Sequence, residues 1–402
     1  MMKTESDFIP SGGVTSPGGF LAGAVHAGIK YQDPQRLDLG ILFSPTPCAA
    51  AAVFTTNKVK AAPVLLDMAR LAGGGISAVV MNSGCANACT GRQGMADAVE
   101  MTALAARHTG VKPESVLAAS TGVIGVPLPA ARIREGIPQI KLTAEGGHDL
   151  ARAIMTTDTV PKEAAVKAAG FTIGGMLKGS GMIHPNLATM LCFLTTDAAI
   201  DKDLLKKMLR KAADVSFNML SIDGDGSTND TVLLMANGAA KEKPITAGSK
   251  QAGVFQRALD KICIYLARQA ARDGEGATRL IEVKVQGAVN TRDARLAART
   301  IVSSSLVKTA VHGCDPNWGR VLAAAGRSGA ALEESKAELY IGAVRVVQNG
   351  LAAAFDKKEV VKHLGGREVM ITLDLHSGKG EATAWGCDLS AEYVKINAEY
   401  TT

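Results

Sequence analysis

One threonine, Thr189, opens a strand-like apolar run from Met190 to Leu194. A threonine hydroxyl is a poor nucleophile until a base takes its proton. A threonine at the start of a chain meets this need, because its α-amine, with a pKa of about 7.7–8.0, serves as the base. That state requires a cut between Ala188 and Thr189, which the hydroxyl can make by attacking the Ala188 carbonyl to give an ester that water opens. On these residues alone, an ordinary strand threonine is the commoner interpretation.

Other common catalytic chemistries are disfavoured because the chain lacks their sequence motifs. The chain lacks G-x-S-x-G, H-E-x-x-H and the phosphate loop G-x-x-x-x-G-K-[ST]. Its seven histidines show no metal-ligand spacing, and its seven cysteines contain no C-x-x-C pair. We therefore expect no metal, no bound cofactor and free thiols in a reducing compartment.

Two polar segments suggest turns rather than chemistry. The segment from Asp223 to Asp230 begins like a calcium loop but has Thr228 at the sixth position and Leu234 at the twelfth, where glycine and glutamate are required. The segment from Asp315 to Arg320 carries no derivable chemistry either. Both are interpreted as structural turns.

Composition and charge narrow the class of protein. The chain has 402 residues, 47% hydrophobic and 20% charged, with a net charge of +6. The basic residues are scattered and not interleaved with aromatics, so nucleic-acid binding is not expected, while an anionic small-molecule substrate fits. No apolar run reaches the roughly 18 residues of a membrane span. With no signal-peptide pattern at the start, a cytoplasmic protein is expected.

The elements that must position Thr189 follow from periodicity. Ile76 to Met81 and Val116 to Ser120 are predicted strands, and the second leads into Thr121 and Gly122. Helical spacing covers Met95 to His108, Asp203 to Val215 and Val254 to Ala271. The first 60 residues are predicted to be largely irregular, with short strand-like pieces such as Gly40 to Phe43. A domain boundary near residue 280 is predicted where alternating strands begin, giving domains of residues 1–280 and 281–402.

The segment from Lys178 to Leu191 closely resembles the processing and nucleophile segment of the ornithine acetyltransferase family. Further stretches match family signatures in the family order: Asn82–Asn87, Ser120–Gly125, Thr156–Thr159, Ser221–Asp230, Asp315–Arg320 and Asn397–Tyr400. The resemblance covers essentially the whole chain.

This resemblance implies self-cleavage between Ala188 and Thr189, followed by transfer of the acetyl group of N-acetyl-ornithine to glutamate through an acetyl-Thr189 ester. It implies an oxyanion hole made by the Thr121 hydroxyl and the Gly122 N–H. The implied substrate-binding residues are Thr156 or Thr157, with Thr156 favoured, and Lys178, Glu275, Asn397 and Thr402. Some family members also use acetyl-CoA as donor, and no residue of this chain decides that question.

The resemblance further implies a layered α/β sandwich, αββα-like in the style of N-terminal-nucleophile hydrolases, with a smaller C-terminal α/β domain whose tail returns to the active site. The α and β chains, residues 1–188 and 189–402, are expected to stay associated as a heterotetramer of two of each.

Two rival functions remain open at this point. An N-terminal-threonine amidohydrolase or aminopeptidase would cut itself identically but would pass its acyl group to water. A non-catalytic, glycine-rich anion-binding protein would persist as one uncleaved chain.

Overall fold

The computed structural model of the chain describes residues 6–184 and 190–399. In chain order its strands are β1 (Ser6–Phe8), β2 (Leu21–Val25), β3 (Leu39–Phe54), β4 (Ile76–Cys85), β5 (Val116–Val123), β6 (Lys162–Ala168), β7 (Phe171–Lys178), β8 (Leu191–Thr196), β9 (Leu220–Ser221), β10 (Thr231–Ala236), β11 (Leu280–Ala288), β12 (Glu338–Ile341), β13 (Val344–Gln348), β14 (Leu351–Ala352), β15 (Glu368–Asp374) and β16 (Gly380–Cys387).

The helices are α1 (Ala62–Gly73), α2 (Gly91–Thr109), α3 (Ala130–Gly136), α4 (Gly147–Ala153), α5 (Lys202–Val215), α6 (Lys250–Arg272), α7 (Thr291–Val302), α8 (Ser305–His312), α9 (Trp318–Gly326), α10 (Lys357–Leu364) and α11 (Ala391–Glu399). The predicted strands and helices around the site are thus confirmed, with each extended by a few residues. Side-chain caps explain some starts: Asp201 accepts from two N–H groups of α5, and Ser249 from one of α6.

The larger sheet of the described residues has nine strands, in the order β1-β6-β7-β8-β10-β3-β4-β5 with β2 paired to β3. The long strand β3 spans both halves of this sheet. Its first part pairs with β2 and β4, and its last part, from Ala49, pairs with β10. The register shifts between Phe43 and Cys48, where Pro45 and Pro47 can donate no ladder hydrogen bonds. The strand-like piece predicted at Gly40 to Phe43 is thus part of a much longer strand, and the prediction of a largely irregular N-terminal region was wrong for the rest of β3.

The two halves of this sheet face each other. Successive strand residues point to opposite faces, and in β8 Phe193 joins the cluster shared with β4 and β5, whereas Leu194 joins the cluster shared with α5 and α6. On the far side, Val80 of β4 and Ala118 of β5 pack with residues of α2 and α3. The layers therefore run helix, sheet, sheet, helix, which confirms the predicted αββα-like sandwich.

A second sheet of seven strands lies beyond α6, in the order β14-β13-β12-β15-β11-β16-β9. In β11 the buried residues Ile281, Val283 and Val285 alternate with partly exposed ones, as predicted. Strand β9 joins this sheet from before residue 280, and one hydrophobic cluster contains residues of both sheets. The division into residues 1–280 and 281–402 stays a prediction. No helix among the described residues is long and apolar enough to cross a membrane.

Candidate active site

A pocket with about 600 Å³ of empty space, part of it open to solvent, lies where β5 and β7 end. The loop before β10, the turn after α6 and the last helix complete its wall. Every predicted site residue in the described part of the chain lines this pocket: Thr121, Gly122, Thr156, Thr157, Lys178, Glu275 and Asn397. The structure thus brings together residues that are far apart in sequence, while their individual roles stay predictions.

The predicted oxyanion pair lies at the end of β5, which runs parallel to β4. Gly122 has a φ of +130°, and a Cβ there would lie 2.4 Å from the Gly84 carbonyl carbon. Only glycine fits this close approach of two backbones. The buried Thr121 hydroxyl accepts from the Lys178 ammonium at 3.3 Å. An ammonium can only donate, so the hydroxyl hydrogen of Thr121 is left to donate to another acceptor.

Lys178, the last residue of β7, is buried. Burial lowers the pKa of its ammonium below the ordinary value, although the carboxylates of Asp158, Glu275 and Asp230 oppose that shift. The ammonium is therefore a cation held inside the protein by surrounding negative charge. Such a group is suited to binding an anionic part of a ligand.

Thr156 and Thr157 follow α4 and differ in their contacts. The Thr157 hydroxyl lies 2.7 Å from the Ser180 hydroxyl. Thr156 is held through its main chain: its N–H donates to Asp158 at 3.2 Å, and its carbonyl accepts from Arg36 at 2.7 Å. The side chains of both threonines line the pocket, and the preference for Thr156 stays a prediction.

Glu275 and the C-terminal helix meet at the pocket. The Glu275 N–H donates to the Ser180 carbonyl at 2.8 Å, and its carboxylate accepts from Asn397 at 2.8 Å. A Cβ on Gly181 would lie 2.4 Å from that carboxylate, so glycine is what permits its position. Helix α11 is also held by Tyr393, whose hydroxyl donates to Asp223 at 3.3 Å.

The predicted nucleophile lies outside the described residues. Ala188, Thr189 and Thr402 lie outside the described residues, and their roles stay predictions. Met190, to which Thr189 is bonded, lines a small cavity of about 140 Å³ together with Thr121 and Lys178. Chain connectivity therefore joins the predicted nucleophile to the residues of the pocket.

The loop before β10 contributes a pocket wall that the sequence interpretation missed. Ser227, Thr228 and Asn229 line the pocket, and the Asn229 amide donates to the Ala86 and Ser120 carbonyls at 2.7 and 2.8 Å. It therefore fixes the ends of β4 and β5 against each other. The sequence did carry a signal, because a polar run stands directly before a buried strand. Polar residues at the end of a buried strand are typical of a functional site. The interpretation of this segment as a structural turn alone was incomplete.

A buried ion network holds three walls in place. The ammonium of Lys162 donates to Asp158 at 2.6 Å and to Asp273 at 2.5 Å. Asp158 also accepts from the Gly179 N–H at 2.7 Å. Although burial opposes it, the charges of Lys162 and Lys178 hold the pKa of Asp158 below its ordinary value. The Lys162 ammonium thus connects, directly or through Asp158, the loop after α4, the end of β7 and the turn after α6.

Histidines and carboxylates do not form a metal site in the described ranges, where no group of three or more His, Cys, Asp or Glu could hold an ion.

Four α/β layers, in the order helix, sheet, sheet and helix, with a polar pocket at the strand ends define a protein of the αββα-sandwich class. The chain belongs to the ArgJ family, whose family model matches residues 21–402. It is 53% identical to the arginine biosynthesis bifunctional protein ArgJ of Dehalococcoides mccartyi strain CBDB1, over 100% of both chains. It is 47% identical to the protein of the same name from Bacillus subtilis strain 168, over 98% of this chain and 97% of the relative.

A crystal structure of arginine biosynthesis bifunctional protein ArgJ from Bacillus halodurans matches at 42% identity with a TM-score of 0.50. The match covers 97% of that chain but 51% of this one. The solved chain is therefore about half as long as this chain.

Replacing Lys162 by Met should destabilise the protein strongly. Two buried carboxylates lose their cation, and breaking a buried ion pair costs about 3–5 kcal/mol of unfolding free energy. Chemical denaturation monitored by circular dichroism measures the change. Lys336→Met, at an exposed pair with Glu333, is the matched control and should leave stability unchanged. Equal stability of both variants would show that the network does not hold the pocket walls.

Proposed function

We propose that this chain transfers the acetyl group of N2-acetyl-L-ornithine to L-glutamate in arginine biosynthesis. The observation that carries the proposal is the single pocket that collects all seven described site residues implied by the family motifs. Full-length similarity to proteins named as arginine biosynthesis enzymes supports it.

The reaction is a ping-pong acyl transfer through Thr189. The chain first cuts itself between Ala188 and Thr189, which frees the Thr189 α-amine. That amine takes the hydroxyl proton as the hydroxyl oxygen attacks the acetyl carbonyl. The tetrahedral intermediate collapses to an ester as the α-ammonium passes the proton to the departing ornithine nitrogen. The glutamate amine then attacks the ester and gives up a proton through the α-amine to the Thr189 oxygen, so that N-acetyl-glutamate leaves and the hydroxyl is restored. The half-length chain of the solved relative supports the cut.

The oxyanion of each tetrahedral intermediate is bound by the Thr121 hydroxyl and the Gly122 N–H. Lys178 supports this role, because its ammonium occupies the acceptor side of the Thr121 hydroxyl. Fixed donors of this kind stabilise developing charge without having to reorient during the reaction.

Opposite charges in the pocket suit amino-acid substrates. The ammonium of Lys178 binds a substrate carboxylate, and the carboxylate of Glu275 binds a substrate ammonium. Thr156 or Thr157, Asn397 and Thr402 complete the binding residues. Both N-acetyl-ornithine and glutamate carry a carboxylate and an amino group, so one pocket serves both in turn.

The wider assignments belong to the same proposal. The word bifunctional in the names of the relatives supports a second acetyl donor, and we assign that role to acetyl-CoA, with no resident cofactor. The cut chains associate as a heterotetramer of two α and two β chains. Buried free thiols such as Cys192 and Cys263 support a cytoplasmic location.

The acyl acceptor separates a transferase from an N-terminal-threonine hydrolase. Incubation with N-acetyl-ornithine and glutamate should release ornithine and N-acetyl-glutamate in equal amounts, as measured by mass spectrometry. Without glutamate, release should stop after one equivalent per active site, because the ester then persists. Continuous release of ornithine and acetate without glutamate would instead show a hydrolase, and Thr189→Ala is the inactive control.

Replacing Thr121 by Val removes one oxyanion donor and keeps the side-chain volume. We expect kcat to fall by about 100- to 1,000-fold, with KM for N-acetyl-ornithine nearly unchanged, in steady-state assays. The control Thr102→Val removes another buried hydroxyl, one that bonds within α2, and should keep wild-type kcat. Wild-type kcat in Thr121→Val would place the oxyanion hole elsewhere.

A further inference from the structure

An apolar part of the pocket lining lies beside the proposed oxyanion pair. The apolar residues among the described lining are Ala86, Ile124 and Met182, and the others are polar, charged or glycine. Ile124 follows Gly122 by two residues, and the Ala86 N–H donates to the carbonyl of the intervening Val123 at 2.9 Å. Ala86 and Ile124 therefore adjoin Gly122, where β4 and β5 end.

One amide group fixes this apolar pair, Ala86 and Ile124, next to the oxyanion pair. Asn229 donates to the Ala86 carbonyl at 2.7 Å and to the carbonyl of Ser120, the residue before Thr121, at 2.8 Å. Two acceptors that share one amide nitrogen are at most about 6 Å apart. The apolar pair is thus held at a fixed position relative to Thr121.

A hydrophobic cluster supports the apolar pair from within the protein. Ile124 is partly buried and packs against a cluster made by Ala61, Val64, Ala86 and Ala88. Ala86 itself is only 2% exposed. Because protein interiors are close-packed, the two side chains have no space into which they could retreat from a larger ligand. This part of the pocket is therefore an apolar wall of fixed depth.

The charged groups of the pocket belong to other walls. Lys178 is the last residue of β7, and Glu275 lies in the turn after α6. The third apolar lining residue, Met182, belongs with Glu275, because a Cβ on the preceding Gly181 would lie 2.4 Å from the Glu275 carboxyl carbon. The pocket thus separates groups suited to the charged ends of an amino acid from a wall suited to an apolar group.

We propose that Ala86 and Ile124 form the acyl subsite of the pocket and that Ile124 limits the transferred acyl group to acetyl. This inference rests on the proposed function, in which Thr121 and Gly122 bind the carbonyl oxygen of the acyl group. The methyl carbon of an acetyl group is two bonds from that oxygen, so it contacts the side chains that adjoin the oxyanion pair. Burying the methyl group against an apolar wall is favourable. A propionyl or butyryl group needs space that Ile124 and its cluster fill.

The test compares acyl donors of increasing length with the purified protein. N-acetyl-, N-propionyl- and N-butyryl-ornithine are each supplied with glutamate, and the release of ornithine gives kcat/KM for each donor. In the wild type we expect kcat/KM to fall about 10- to 200-fold from acetyl to propionyl, as for one methylene in an apolar pocket. Ile124→Ala creates the missing space and should raise the propionyl-to-acetyl ratio of kcat/KM at least about 10-fold.

Ile264→Ala is the matched control for this substitution. Ile264 is also a partly buried isoleucine that packs against a hydrophobic cluster, but it lines a separate cavity together with Trp385. The control should keep the wild-type ratio. A general loss of stability lowers kcat/KM for all donors together, so a merely structural role of Ile124 would not move the ratio.

Two further measurements do not depend on the folding of Ile124→Ala. Ile124→Val removes a single methylene and should raise the ratio in the same direction by a smaller factor. The wild type alone should discriminate against the butyryl donor at least as strongly as against the propionyl donor. Equal kcat/KM for acetyl and butyryl donors in the wild type, or a wild-type ratio in both Ile124 variants, overturns the inference.

Failure of the proposed function gives a different result. It appears as a wild-type protein that forms no N-acetyl-glutamate from N-acetyl-ornithine and glutamate. Failure of this inference alone appears as normal acetyl transfer by the wild type with a donor ratio that the substitutions at Ile124 do not change.

Discussion

The register of four neighbouring strands is the constraint on which the site depends. Lys178 pairs with Leu191, Leu191 with Thr231 and Thr231 with Phe54, so one row crosses β7, β8, β10 and β3. This row places the Lys178 ammonium and the Asp230 carboxyl on either side of the residue that follows Thr189. A slip of one residue in β8 would exchange its two faces, turning Phe193 away from the sheet–sheet core.

Charge balance inside the protein depends on that register as well. Lys178 lies among the carboxylates of Asp158, Glu275 and Asp230, and Lys162 neutralises Asp158 and Asp273. Buried charges of one sign would be costly alone, but their pairing leaves a pocket lined by both a cation, Lys178, and a carboxylate, Glu275. The same pairing joins loops that are distant in sequence, which keeps the pocket walls at fixed separations.

The local spacing of apolar residues was sufficient to predict elements that bury one face. Helices α5 and α6 and strand β11 follow directly from apolar spacing. Apolar spacing was insufficient to predict the full length of β3. Pro45 and Pro47 interrupt its run of apolar residues where the strand passes between the two halves of the sheet. The membership of β9 in the second sheet, which bears on the domain boundary, rests on pairing with β16 and has no local signal.

The site could be predicted only in part. Thr121, Lys178 and Glu275 came from resemblance to family motifs, since a lone threonine, lysine or glutamate carries no distinguishing pattern. Asn229 and Asp230 were interpreted as parts of a turn, because their partners at Ser120 and Met190 are brought to them by strand order and not by sequence proximity. Strand order is a tertiary property that periodicity does not encode.

The proposed reaction depends on Thr189 as a self-made N-terminal nucleophile that carries the acetyl group. The most direct measurement is the denaturing intact mass of the purified protein after exposure to N-acetyl-ornithine without glutamate. We expect two chains of about 19 and 22 kDa, the larger beginning at Thr189 and heavier by one acetyl group. A single chain of 41.6 kDa, or an acetyl group attached elsewhere than Thr189, would contradict it.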